Sequence, residues 1–188
     1  TYTYDTAGNL AAMTDARGIT VSYSYDALNR RTGVNHPTTA DTTFSYDACA
    51  NGAGRLCGFT DDSGTTAYAY DARGNLTQKT VTINGVVGIT YVTGYEYDGA
   101  NRLTALIYPS GRRIEYGRSA TTGRIATVTM TPPGGSPVTL VSSVTYAPFG
   151  PVTSLTFGNG VTSKQGLTLR STYTLGSDSN WLASVADN

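Results

Sequence analysis

Helix-building residues are scarce in this 188-residue chain, which holds only two glutamates (Glu96, Glu115) and two lysines (Lys79, Lys164). These long side chains lose little rotamer freedom in a helix and usually fill its solvent face, so their scarcity argues against a helical bundle. Charge is also sparse, at 14% of residues, and 13 basic side chains cancel 13 acidic ones. A balanced chain carries no electrostatic footprint for nucleic acid or an anionic membrane. No apolar run approaches the roughly 20 residues that span a bilayer as a helix, and the segment after Thr1 has neither the basic nor the apolar stretch of a signal peptide. One histidine and two cysteines leave little from which to build a four-ligand zinc site.

Aliphatic residues are few too: Leu, Ile, Val and Phe together make 35 of 188, a share typical of disordered chains when net charge is high. Net charge is not high here, and 14 tyrosines supply the missing apolar area.

Those tyrosines sit in an internal repeat. The tetrads Tyr2-Thr3-Tyr4-Asp5, Tyr23-Ser24-Tyr25-Asp26, Phe44-Ser45-Tyr46-Asp47, Tyr68-Ala69-Tyr70-Asp71 and Tyr95-Glu96-Tyr97-Asp98 share the pattern aromatic-x-Tyr-Asp, with aspartates 21, 21, 24 and 27 residues apart. Three residues after Asp5, Asp26, Asp71 and Asp98 stand Gly8, Asn29, Gly74 and Asn101. Gly and Asn tolerate a left-handed backbone, and an Asp at the first position accepts an N–H two residues on. The pattern therefore predicts a type I turn closing a hairpin, with the aspartates as turn residues.

A second turn series lies half a repeat away, at Asp15 to Gly18, Asp61 to Gly64, Tyr108 to Gly111, Pro132 to Gly135 and Phe157 to Gly160. The segments between turns, such as Ile19 to Tyr25 and Val138 to Tyr146, are rich in β-branched and aromatic residues and predict strands. Each repeat is then two strands and two turns. Side chains at i and i+2 share a face, which pairs Tyr23 with Tyr25, Tyr68 with Tyr70 and Tyr95 with Tyr97. A lone hairpin is marginal in water, so repeats must stack into a continuous sheet. Residues 1–111 carry well-formed repeats and 112–188 degenerate ones continuing the sheet, including Pro148-Phe149-Gly150 and a weak copy from Tyr173 to Leu182. Arg31 replaces the leucine seen at Leu10, Leu76 and Leu103, and is expected to face solvent or mark an irregular repeat.

These residues resemble the YD repeats of bacterial Rhs polymorphic toxins, insecticidal toxin complexes and animal teneurins. The resemblance rests on Tyr2 to Leu10, Tyr68 to Leu76, Tyr97 to Leu103, and Phe157 to Val161. It implies an all-β strip of tandem hairpins spiralling into part of a hollow shell, and a chain that is one piece of a longer protein. It also implies a secreted or cell-surface protein whose partners are further repeats and an enclosed C-terminal toxin. The family's self-cleaving element has no counterpart here, since no Asp-Pro-x-Gly run occurs.

Other chemistry is thinly supported. Cys49 and Cys57 flank a lengthened loop, and their spacing fits either a disulfide in an oxidising compartment or two free thiols. His36 precedes a proline in a loop with no nucleophile-elbow context. Asp61 and Asp62 are adjacent, which on an extended strand points them to opposite faces. The Gly85 to Gly88 spelling precedes no helix that could cradle phosphate. One aspartate per turn, about twenty residues apart, is poor for calcium. The reading is a non-enzymatic wall segment without catalytic, metal or cofactor residues. Its alternative is a cell-surface carbohydrate-binding or adhesion module whose tyrosines stack on glycan rings.

Overall fold

The computed structural model describes residues 1–85, 89–148, 150–164, 171–175 and 182–187, with Lys164 and the last two segments described by their backbone. It divides into two compact units, Thr1–Ser110 and Gly111–Asn188.

The first unit holds β1 (Tyr2–Tyr4), β2 (Leu10–Thr14), β3 (Thr20–Tyr25), β4 (Arg31–Asn35), β5 (Thr42–Tyr46), β6 (Leu56–Asp61), β7 (Gly64–Tyr70), β8 (Leu76–Ile83), β9 (Thr90–Tyr97) and β10 (Leu103–Ile107). Each strand pairs antiparallel with the next, so spatial order equals chain order. In the second unit, β11 (Arg113–Arg118), β12 (Ile125–Thr131), β13 (Val138–Tyr146), β14 (Val152–Phe157) and β15 (Thr162–Lys164) pair in the same manner. There β16 (Ser171–Leu175) pairs with β17 (Leu182–Asp187). No helix occurs among the described residues, and the fold is the all-β array of tandem antiparallel hairpins that the turn spacing predicts.

The hairpin loops explain the Asp-x-x-Gly/Asn pattern atom by atom. The Gly8 N–H donates to the Asp5 carbonyl and the Asp5 N–H to the Asn9 carbonyl. Gly8 has φ 85°, so this is a type I turn followed by a left-handed residue, a loop whose twist matches the flanking strands. The same bonds close the loops at Asp26, Asp71 and Asp98, and the fourth positions Asn29, Gly74 and Asn101 have φ of 58°, 86° and 60°. Asn survives there because its short polar side chain lowers the left-handed penalty.

The register contains a feature the sequence pattern does not announce. Tyr25 faces Arg31 while Ser24 faces Gly33, leaving Thr32 as an extra residue. Ala11, Thr77 and Thr153 are extra in the same place opposite their own tyrosines. A β-bulge thus follows these hairpin loops and strengthens the local right-handed twist.

Residues opposite one another point to one face, and in the first unit the two faces differ sharply. One row runs Phe44, Phe59, Thr66, Val81, Tyr91 across five strands, and the other face carries Gly33, Thr43, Thr60, Thr65, Thr82, Thr90. The aromatic face takes the Tyr-x-Tyr pairs; the opposite face is rich in threonine, serine and glycine and also carries Ala67, Gln78 and Val92. With little packed on either side, few side chains are fully buried: among the described residues the buried hydrophobics are Cys57 and Ala105. Tyr23, Tyr25, Tyr68, Tyr70, Tyr95 and Tyr97 are half-buried, while Tyr2 and Tyr4 are exposed.

Candidate functional site

The loops opened by Asp5, Asp26, Asp47, Asp71 and Asp98 lie at the same end of successive hairpins. Both oxygens of each of these turn carboxylates are engaged. Asp71 Oδ1 accepts the N–H groups of Arg73 and Asn75, both at 2.9 Å, and its Oδ2 accepts the Asn75 side-chain amide at 2.9 Å. Asp5, Asp26 and Asp98 repeat this arrangement with Asn9, Arg30 and Arg102. Donors converging on the ionised form hold these carboxyls below the ordinary carboxylate range. The side-chain amide of Asn75 is the first cause at Asp71, and the backbone N–H groups of Arg30 and Arg102 are the first at Asp26 and Asp98. They are turn anchors with their acceptor oxygens already engaged.

The residue four places after Asp5, Asp26 and Asp71 links one repeat to the next. Asn9 Nδ2 donates to Asn29 Oδ1 at 2.9 Å, and Asn75 Nδ2 to Asn101 Oδ1 at 3.0 Å. Arg30 forms a two-pronged ion pair with Asp47, one repeat on, and lies 4.5 Å over the Tyr46 ring. That pairing is the first cause lowering the Asp47 carboxyl, and it raises the Arg30 guanidinium. In the second unit Arg124 donates to the carbonyls of Ala147 and Gly150 and stacks 5.0 Å over Tyr146. The hairpin there closes through the Gly150 N–H to the Ala147 carbonyl, with Phe149 outside the described residues, as are residues 176–181 of the weak final copy. The turn pattern in the sequence does not mark these connectors, although an Asn or Arg four residues after the Asp is visible at Asn9, Arg30 and Asn75.

The second tyrosine of the tetrad provides a further link. Tyr25 donates its hydroxyl to the Leu10 carbonyl at 3.0 Å, Tyr70 to Leu56 at 2.7 Å and Tyr146 to Ile125 at 2.8 Å. Each accepting carbonyl belongs to the preceding hairpin, just after its loop. Burial is the first cause raising the Tyr68 and Tyr97 hydroxyls, as desolvation disfavours the phenolate. Arg31 is exposed, with its guanidinium 4.8 Å over the Tyr23 ring.

Cys49 and Cys57 form a disulfide with Cα atoms 5.5 Å apart, across the lengthened loop. His36 sits in a loop, its N–H on Asp41 Oδ1, and Asp61 accepts from Ser63 and Gly64 as a turn residue. Gly85 has φ 77°, and Gly88 lies outside the described residues. No group of three or more His, Cys, Asp or Glu side chains with metal-holding geometry occurs among the described residues. An open depression of about 490 Å³ lies in the second unit beside Ser119, Arg124 and Tyr146. Arg124 is spent there on backbone carbonyls.

The RHS Repeat family model matches residues 4–41, 51–87 and 88–113. No curated protein matches the sequence. Among solved structures, that of TcdB2-TccC3 superimposes with a TM-score of 0.76 at 15% identity, covering 98% of this chain and 10% of that one. TcdB2-TccC3 without its hypervariable C-terminal region gives 0.74, and TcdB2-TccC3-Cdc42 gives 0.73, with the same identity and coverage. The chain therefore spans about a tenth of the length of these neighbours, and the likeness is one of fold.

Proposed function

The chain belongs to the RHS Repeat family, and from that premise we propose that it is a non-enzymatic length of β-shell wall enclosing a C-terminal toxic polypeptide in a longer secreted protein. Its work is containment. A wall must hold together between repeats while performing no chemistry, and the observation that carries the reading is the use of the motif residues as inter-repeat links. The tetrad tyrosines Tyr25 and Tyr70, and Tyr146 in a degenerate repeat, spend their hydroxyls on the preceding hairpin, and the turn aspartates spend their oxygens on their own loop. A glycan platform would keep such hydroxyls available to a ligand. The repeats at 1–111 and the degenerate repeats at 112–188 belong, on this reading, to one wall.

The test is to follow the parent reading frame past Asn188 and to measure the mass of the protein in cells. A further run of repeats with a cleaved C-terminal piece that stays with the repeat portion supports containment. A parent that continues into a surface anchor, with no cleavage and with glycan binding lost in a folded Tyr70→Ala variant, overturns it in favour of an adhesion module.

A further inference from the structure

The loop from Asp47 to Arg55 differs from its counterparts. The others close in five residues, Asp71 to Asn75 for example, without a covalent link. This one spans nine, and although the Asp47 N–H still reaches the Arg55 carbonyl, its interior is tied down by the Cys49–Cys57 disulfide. Two contacts to the following hairpin ride on it: Asn51 Nδ2 donates to the Tyr70 carbonyl at 2.9 Å, and the Arg55 guanidinium lies 5.7 Å from the Tyr70 ring centre. Gly52 rests on the bridge so closely that a Cβ there would stand 2.5 Å from one sulfur and 2.6 Å from the other. Loop and bridge therefore hold each other in place.

The two sulfurs are not equivalent. As whole residues, Cys57 is 7% exposed whereas Cys49 is half-buried, so the approach from solvent is more open on the Cys49 side. The Cys49 backbone N–H donates to Cys57 Sγ at 2.9 Å, and such a donor favours the thiolate, which makes Cys57 the better leaving group.

We propose that Cys49 is a thiol-exchange site and that the Cys49–Cys57 bridge is a reducible staple between this hairpin and the next. A low-molecular-weight thiolate attacks Cys49 Sγ; its sulfur bonds to Cys49 as the bridge breaks, and the electron pair leaves on Cys57 Sγ. A second thiolate attacks the sulfur of the attached group, releasing Cys49 as thiolate and the two reagents as their own disulfide. The reagents lose two electrons, the bridge gains them, and both cysteine thiolates take protons from water. With the bridge open, the loop releases Asn51 and Arg55 from Tyr70, opening the seam at one place. This holds for the chain whether or not it encloses a toxin.

The test uses glutathione on the intact chain, with acid quenching and mass mapping of the mixed disulfide, and trypsin as probe of the loop. Arg17, whose side chain is 78% exposed in a loop without cysteine, serves as internal reference. The expected result is glutathione attached to Cys49, and a rise of about tenfold or more in cleavage after Arg55 with little change after Arg17, since cleavage tracks the open population. Glutathione on Cys57 instead overturns the assignment of the attacked sulfur. Unchanged cleavage after Arg55 in the fully reduced chain, or an equal rise at Arg17, overturns the local staple.

Discussion

A glycine and an asparagine do the same work at the fourth loop position, and that equivalence can be measured. Gly8 has φ 85° and open space where a Cβ would go, so substitution there isolates backbone conformation. Gly8→Ala is expected to cost about 1–2 kcal/mol, the left-handed penalty for an L-residue, and Gly8→Asn clearly less; urea unfolding of both variants checks this. Tyr70→Phe removes a single hydroxyl and strands the Leu56 carbonyl, for an expected loss of about 1 kcal/mol. Unchanged stability in Tyr70→Phe would mean the hydroxyl bond is incidental. The turn positions were legible in the sequence because left-handed backbone leaves a direct mark in residue choice. The connectors were not: Asn9, Arg30 and Asn75 read as ordinary polar loop residues, and only the stacking of hairpins reveals that they reach the next repeat.

At the scale of the hairpin, the aspartate loops make the sheet sensitive to acid. Asp5, Asp15, Asp26, Asp47, Asp61, Asp71 and Asp98 all have carboxyls held below the ordinary range in the folded chain. A lowered folded value means the unfolded chain binds protons first as pH falls, so the stabilisation is complete above the unfolded carboxylate value of about 4. It is lost as pH falls further through the lowered folded values. The predicted thermal midpoint is flat from neutral pH to about pH 5 and falls steeply below about 4; a midpoint that rises on acidification contradicts the loop geometry. Asp71→Asn keeps one acceptor oxygen but sets an amide against the Asn75 amide, so it should lower the midpoint and flatten part of the acid slope. Strands and hairpins were readable from turn spacing and β-branched runs. The bulges at Ala11, Thr32, Thr77 and Thr153 were not, because a one-residue slip in pairing leaves no compositional trace in threonine-rich strands.

For the molecule as a whole, a sheet with few fully buried side chains must draw its stability from contacts between neighbouring strands, as in other repeat architectures. Tyr23, Tyr25, Tyr68, Tyr70, Tyr95 and Tyr97 are only half-buried, less than their periodicity suggests, since the strand pattern sets which side chains share a face and leaves open what covers it. Containment is tested most directly by protease protection in the intact parent protein. The polypeptide C-terminal to the repeats should survive, within the intact protein, a protease concentration that digests the same polypeptide expressed alone. Equal digestion in the two settings would contradict a wall that encloses it.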